Sequence, residues 1–92
     1  MSQTVLRSHK IVNEKGLHAR ASAKLVEVVE AHDATAEVSK DGMTASGDSI
    51  MGLLMLAASR GTFIDIETMG PEAEALSQAL RDLVSGKFGE EA

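Results

Sequence analysis

Five consecutive residues, Gly16-Leu17-His18-Ala19-Arg20, hold the side chains best suited to chemistry in this chain. They lie where a glycine-punctuated loop gives way to a helical pattern, so His18 falls at or beside a helix cap. The first amides of a helix have no backbone partners, and the aligned peptide dipoles leave that end partly positive. A phosphoryl group is what such an end can hold. A histidine there can do more than contact it, because a ring nitrogen can carry the group covalently. The dipole also opposes a second positive charge, which favours an imidazole with a lone pair free to attack. Arg20 supplies a forked donor that matches phosphate oxygens. Ala21 keeps a third unpartnered N–H, which a proline would remove. Histidine also tolerates plain cap positions, so these residues alone leave His18 open between the two roles. The other two histidines, His9 and His32, fall in a strand and near a helix end, and read as surface or packing residues.

The elements that must position these side chains follow from periodicity. Thr4 to Val12 has the Thr, Val, Leu and Ile content of a strand. Its alternation is weak: Val5 and Ile11 share one parity, Leu6 and Val12 the other, which leaves the buried face undecided. Asn13-Glu14-Lys15-Gly16 is a loop. From Ala19 to about Ala31, Leu25, Val26 and Val29 share a helical face that Ser22 or Ala21 extends. Lys24, Glu27 and Glu30 lie opposite. Ala34, Ala36 and Val38 then alternate as a half-buried strand, Asp41-Gly42 is a favoured hairpin turn, and Met43 to Ser46 is the return strand. A second helix is expected from Ile50 to Ala58, capped by Asp48 or Ser49 and stopped by Gly61. Thr62 to Thr68 is the clearest strand, with Ile64 and Ile66 pointing one way. Gly70-Pro71 opens the last helix with proline in the first turn. Glu72 and Glu74 sit near its positive end, and Ala73, Leu76, Leu80 and Leu83 form its buried stripe. Gly86 stops it, and Gly89-Glu90-Glu91-Ala92 reads as a loose acidic tail. This βαββαβα order predicts an α+β fold, a four-stranded antiparallel sheet covered on one side by helices.

Composition narrows the function. The 92 residues make one domain, 1–92, with an ordered core over about residues 4–87. Phe63 and Phe88 are the only aromatics, so aliphatics and five methionines must fill the interior. Lys and Arg number 9 against 14 Asp and Glu, a net charge of −5. That balance, without a basic run or a Tyr or Trp platform, argues against nucleic acid. The absence of cysteine excludes disulfides, thiol chemistry and thiolate zinc sites. No metal constellation, phosphate loop with lysine or Ser-His-Asp ordering appears, and no cofactor is expected. No apolar run reaches membrane-spanning length and no leader pattern opens the chain, so membrane insertion is not expected and a cytoplasmic protein is.

Two further features lie around the second helix. Ser49 is either its cap or a phosphorylation site, since a phosphate at a helix N-terminus is electrostatically favoured. The run Ile50-Met51-Gly52-Leu53-Leu54-Met55-Leu56 is apolar around nearly its whole circumference. A short helix on a sheet buries about half its surface, so the remainder is expected to be an exposed contact patch.

Taken together, Gly16-Leu17-His18-Ala19-Arg20, the Asp41-Gly42 turn and Ser49-Ile50-Met51-Gly52 resemble the HPr family, the histidine-containing phosphocarriers of the bacterial phosphotransferase system. The resemblance runs from about Val5 to Gly86. It implies an open-faced β-sandwich of four antiparallel strands and three helices. It implies that His18 accepts a phosphoryl group on Nδ1 from phosphorylated enzyme I, which took it from phosphoenolpyruvate, and passes it to an enzyme IIA domain. Arg20 matches the family's active-site arginine. Ser49 matches the serine that an ATP-dependent HPr kinase/phosphorylase modifies in many bacteria. Ile50 and Met51 match the apolar partner surface, which Leu54 extends; Ala19 and Lys24 complete the expected contact residues. Such a carrier turns over no substrate alone, and a monomer is expected. The family usually has proline where this chain has Ala21, which reads as a subfamily trait. A nitrogen-linked regulatory branch, a purely regulatory binding module with an idle histidine, and an anion-binding regulatory domain are the alternatives.

Overall fold

The computed structural model describes residues 3–92. The elements run β1 (Gln3–Lys10), α1 (Ala19–Glu30), β2 (Thr35–Lys40), β3 (Met43–Ser46), α2 (Ile50–Met55), β4 (Phe63–Gly70) and α3 (Ala73–Ser85), followed by a 3-10 turn at Lys87–Gly89. The strands form one antiparallel sheet in the order β1-β4-β2-β3. The three helices cover one face, as the element order predicts.

The register settles the face that β1 buries. His9 pairs with Ile64, Arg7 with Ile66 and Val5 with Thr68. Directly paired residues of an antiparallel ladder project to the same side. These odd positions therefore point inward, joined across β2 and β3 by Ala36, Val38 and Ala45. Leu6 and Phe63 lie on the open face and are exposed. The helices answer with Leu25, Val26 and Val29 from α1, Leu53 from α2, and Leu76, Leu80 and Val84 from α3, all buried in one core. Both turn residues of the β2–β3 hairpin have positive φ, 50° at Asp41 and 81° at Gly42, which is the geometry that dipeptide favours.

Several boundaries differ from expectation, and β4 runs Phe63–Gly70 rather than Thr62 to Thr68. β1 ends at Lys10 instead of Val12, but Ile11 stays buried and exchanges hydrogen bonds with Thr62 and Gly61. α2 ends at Met55 rather than Ala58. Ala57 turns to a φ of 52°, which swings the Ala58 carbonyl toward the loop before α1. Pro71 precedes the α3 cap, Glu72, instead of sitting in the first turn. The Glu72 backbone N–H donates to Asp33 and its carboxylate accepts from the Asp33 N–H, which ties α3's start to the loop after α1. The segment Gly89 to Ala92, expected to be loose, folds back on the domain: Phe88 just before it is fully buried in the core, and Glu90 and Ala92 accept hydrogen bonds from Asn13 and Glu14.

His9 is a packing residue with a cost. Its Nε2 is buried without a hydrogen-bond partner. Burial first, then the charges of Arg7 and Arg81, hold the imidazole below its ordinary value of 6.5, against the opposing pull of Asp65. The neutral ring is thus the folded form. Above pH 6.5 both states carry it neutral and nothing is lost. Below that, the unfolded chain takes the proton first, so stability falls as the pH drops toward the folded value. Thermal unfolding at pH 7.5 and pH 5.5 tests this. The midpoint of the parent should drop further than that of His9→Gln, and equal drops would acquit His9.

Candidate functional site

Gly16 sets the path of the chain into α1. Its φ is +66°, and a side chain there would place Cβ 2.4 Å from the Ala58 carbonyl oxygen and 3.0 Å from the Ser59 Cα. That is backbone against backbone, and only glycine fits. The next residue completes the junction: the Leu17 N–H donates to Ala58 O at 2.9 Å, and the Leu17 side chain is buried. His18 follows as the N-cap of α1, with φ −77° and ψ −176°. Its carbonyl accepts from the Ser22 N–H at 2.8 Å, the first turn of the helix. The imidazole makes no capping hydrogen bond. The N–H groups of Ala19, Arg20 and Ala21 therefore stay free of any side-chain cap at the positive end of a 12-residue helix. Ala21 is fully buried against the core where a proline is common in the resemblance, and the helix begins at Ala19 without one.

The chain's C-terminal residues fold back over this end. With Phe88 anchored in the core, its carbonyl accepts from Lys24 Nζ at 2.6 Å. The Glu14 N–H donates to the Ala92 carbonyl at 3.0 Å. Asn13, fully buried, donates from Nδ2 to Gly16 O at 2.8 Å and to Glu90 Oε1 at 2.9 Å. Both partners are acceptors, so the amide orientation is forced, and Asn13 Oδ1 is left without a partner. The second oxygen of Glu90, Oε2, contacts His18 Nε2. Hydrogen bonds from the Asn13 amide first, then from the His18 ring, and the nearby Lys15 charge hold the Glu90 carboxyl below its ordinary range, although burial works the other way.

The expected site residues are placed as follows. His18 is half-buried, with a quarter of its side chain exposed (25%) and Glu90 against one edge of the ring. Ala19 and Arg20 are exposed. Arg20 has no ion pair among the described residues and lines a hollow with Glu14, Lys15 and Glu90. Lys24 is half-buried and spends its ammonium on the Phe88 carbonyl, which removes it from the open surface. Ser49 is the α2 cap, its Oγ accepting the Gly52 N–H at 3.0 Å; Asp48 instead accepts from Ser46. Ile50, Met51 and Leu54 are exposed at 41%, 69% and 37%, while Leu53 is buried, so the patch exists. Met55, exposed at 66%, belongs to it as well. Glu90, Asn13 and Lys15 escaped the sequence reading. The signal for Glu90 was Phe88: an aromatic two residues before it, in a chain with only two, has to be buried somewhere.

Comparison with known proteins decides the family. Residues 5–86 match the family described as the phosphotransferase-system HPr component phosphorylation site. The chain belongs to the HPr family. It is a phosphotransferase-system phosphocarrier of that family. Its relatives include phosphocarrier protein HPr of Neisseria meningitidis, 44% identical over 84 residues that cover 91% of this chain and 94% of the relative. Phosphocarrier protein NPr of Escherichia coli is 35% identical over 89 residues, 96% of this chain and 99% of the relative. Among solved structures, HPr of Thermoanaerobacter tengcongensis superimposes with a TM-score of 0.90 at 34% identity, covering 96% of this chain and 99% of that one. The HPr-like open-faced sandwich is thus shared with a relative of known structure. No helix among the described residues is long and apolar enough to cross a membrane.

Burial of Phe88 is what brings Glu90 to His18. Phe88→Ala should cost about 3–5 kcal/mol in chemical denaturation. It should also raise hydrogen exchange at the Gly89 and Glu90 amides. A variant as stable as the parent, with unchanged exchange, would mean that the segment is held by something else.

Proposed function

We propose that this HPr-family chain carries its phosphoryl group on His18, accepting it from phosphorylated enzyme I and donating it to an enzyme IIA domain. The observation that carries this reading is the N-cap imidazole, not spent on capping, beside the unpartnered amides of Ala19, Arg20 and Ala21 and the unpaired guanidinium of Arg20. A transferring phosphoryl group spreads negative charge over its oxygens. Preorganised amides and a forked cation meet that charge without reorganising. The group arrives already activated, so the carrier needs no cofactor and turns over nothing alone. The exposed apolar face of α2 supplies docking area for each partner in turn. α2 packs against α1, the helix that His18 caps. Complexes that must release quickly suit interfaces of about 1,200 Å² or less. A cytoplasmic monomer fits such a shuttle.

Ser49 acts as a brake in this reading where the cell has HPr kinase/phosphorylase. Its hydroxyl already caps α2, so a phosphate there is favoured by the helix end while it adds charge beside Ile50 and Met51. Docking of an apolar partner face then weakens through repulsion and desolvation.

Incubation with phosphoenolpyruvate and enzyme I of the sugar branch or of the nitrogen-linked branch tests the carrier role. The parent should gain acid-labile phosphate from one of them, and His18→Ala should gain none. Label persisting on His18→Ala would remove His18 from the mechanism. In the same assay Ser49→Asp should accept phosphate several-fold more slowly than the parent, and equal rates would count against the brake.

A further inference from the structure

We propose that Glu90 is a positioning residue for His18: its carboxylate accepts a hydrogen bond from Nε2–H, fixes that tautomer, and leaves Nδ1 as the nitrogen that takes the phosphoryl group. The inference rests on the carrier role of His18 given above, with Nδ1 as the accepting nitrogen that the family resemblance implies, and adds what holds the ring ready.

The direction of the contact follows from chemistry. An ionised carboxylate only accepts, so the ring nitrogen facing it must carry the proton. Nε2 is that nitrogen. A neutral imidazole has one proton to place, and with Nε2 holding it, the lone pair is on Nδ1. Several contacts keep the carboxylate in place. Its other oxygen is held at 2.9 Å by Asn13 Nδ2, from a residue fully buried beneath the loop. Asn13 in turn grips the Gly16 carbonyl, so the same side chain braces the loop that delivers His18 and the acid that orients it. Behind Glu90 the chain is pinned by Phe88 in the core, by Lys24 on the Phe88 carbonyl, and by Glu14 on the Ala92 carbonyl. These contacts fix the backbone on either side of Glu90, and the Asn13 bond holds its carboxylate.

The geometry also suits the charge that develops. Nδ1 donates its electron pair to phosphorus, and the bond from phosphorus to the donor's leaving atom breaks, its electron pair remaining on the donor. The ring then holds a phosphoryl group on Nδ1 and a proton on Nε2, and is cationic. A carboxylate at Nε2 stabilises that cation, and it lies at the opposite nitrogen from the incoming oxygens. When the phosphoryl group leaves for the next acceptor, the N–P electron pair returns to Nδ1 and the starting tautomer is regenerated, with no proton moved at any step.

The test compares the parent with Glu90→Ala, Glu90→Gln and Asp41→Asn. The last makes the same charge change in the distant hairpin turn. Long-range proton–nitrogen NMR correlations of the His18 ring report the tautomer. The initial rate of labelling by phosphoenolpyruvate and enzyme I reports the transfer. The parent and Asp41→Asn should show the Nε2–H form and equal rates. Glu90→Ala should show a mixture of tautomers and a rate lower on the order of tenfold, the scale seen when a group orienting a functional imidazole is removed. Glu90→Gln keeps an acceptor oxygen without the charge, so it should retain the tautomer with an intermediate rate. A Glu90→Ala ring that stays in the Nε2–H form would overturn the proposal, whether or not the rate fell. If the parent itself is not labelled, the carrier reading fails, and the tautomer measurement still decides whether Glu90 orients the ring.

Discussion

Gly16 can lie against the backbone of Ala58 and Ser59 because it has no side chain to collide with them. From that contact the rest of the site takes its position. The Leu17 amide is bound to the Ala58 carbonyl, the Leu17 side chain is in the core, and His18 follows directly as the N-cap of α1. The same contact explains why α2 stops early. Its last carbonyls would continue along the helix axis if Ala57 stayed right-handed. Instead the chain turns, and the Ala58 carbonyl serves the loop that carries the histidine. One backbone hydrogen bond thus couples the end of the apolar patch helix to the start of the helix that bears the reactive residue.

The second constraint is the burial of Phe88. With few aromatics available, the core takes one from beyond the last helix. Lys87 and Phe88 both adopt positive φ, at 59° and 54°, to bring the ring inward. Such conformations cost about 1–3 kcal/mol each in non-glycine residues, and burying a phenylalanine side chain offsets about 1.5–3 kcal/mol of that, so hydrogen bonds along the segment must supply the remainder. Lys24, Asn13 and Glu14 provide them, and all three lie in or beside the site. Stability of the C-terminal segment and organisation of the histidine are therefore parts of one network. This is why a residue 72 positions away in sequence lies on the imidazole ring.

Much of this was legible beforehand. The helical face of Leu25, Val26 and Val29, the inward pair Ile64 and Ile66, and the Asp41-Gly42 turn are set by local period and local backbone preference, and each stands where periodicity puts it. His18 at the cap was legible for the same reason: the glycine, the change of period and the arginine are neighbours. What was not legible depends on distant partners. The weak alternation of β1 is resolved only by pairing with β4, which turns His9 inward. The end of α2 is set by a carbonyl needed elsewhere rather than by Gly61. Glu90 looked like a solvated charge because short glycine-separated acidic runs usually are, and its partners lie in the loop before α1 and on the ring itself.

An acidic protein that offers an apolar patch has a particular way of choosing partners. Net charge of −5 repels other acidic surfaces at a distance and draws basic ones, while the short-range contact is left to Ile50, Met51, Leu54 and Met55. Methionines repack at little cost, so one face can meet differently shaped partners. At the reactive end Arg20 and Lys15 line one hollow with the carboxylates of Glu14, Glu90 and Glu91, so what an incoming phosphoryl group meets depends on how those acids are held. Glu90 has one oxygen on Asn13 and the other on the ring. An acid held in that way adds orientation to the site without presenting a free carboxylate to the phosphate, and a chain this acidic can therefore still carry a dianion.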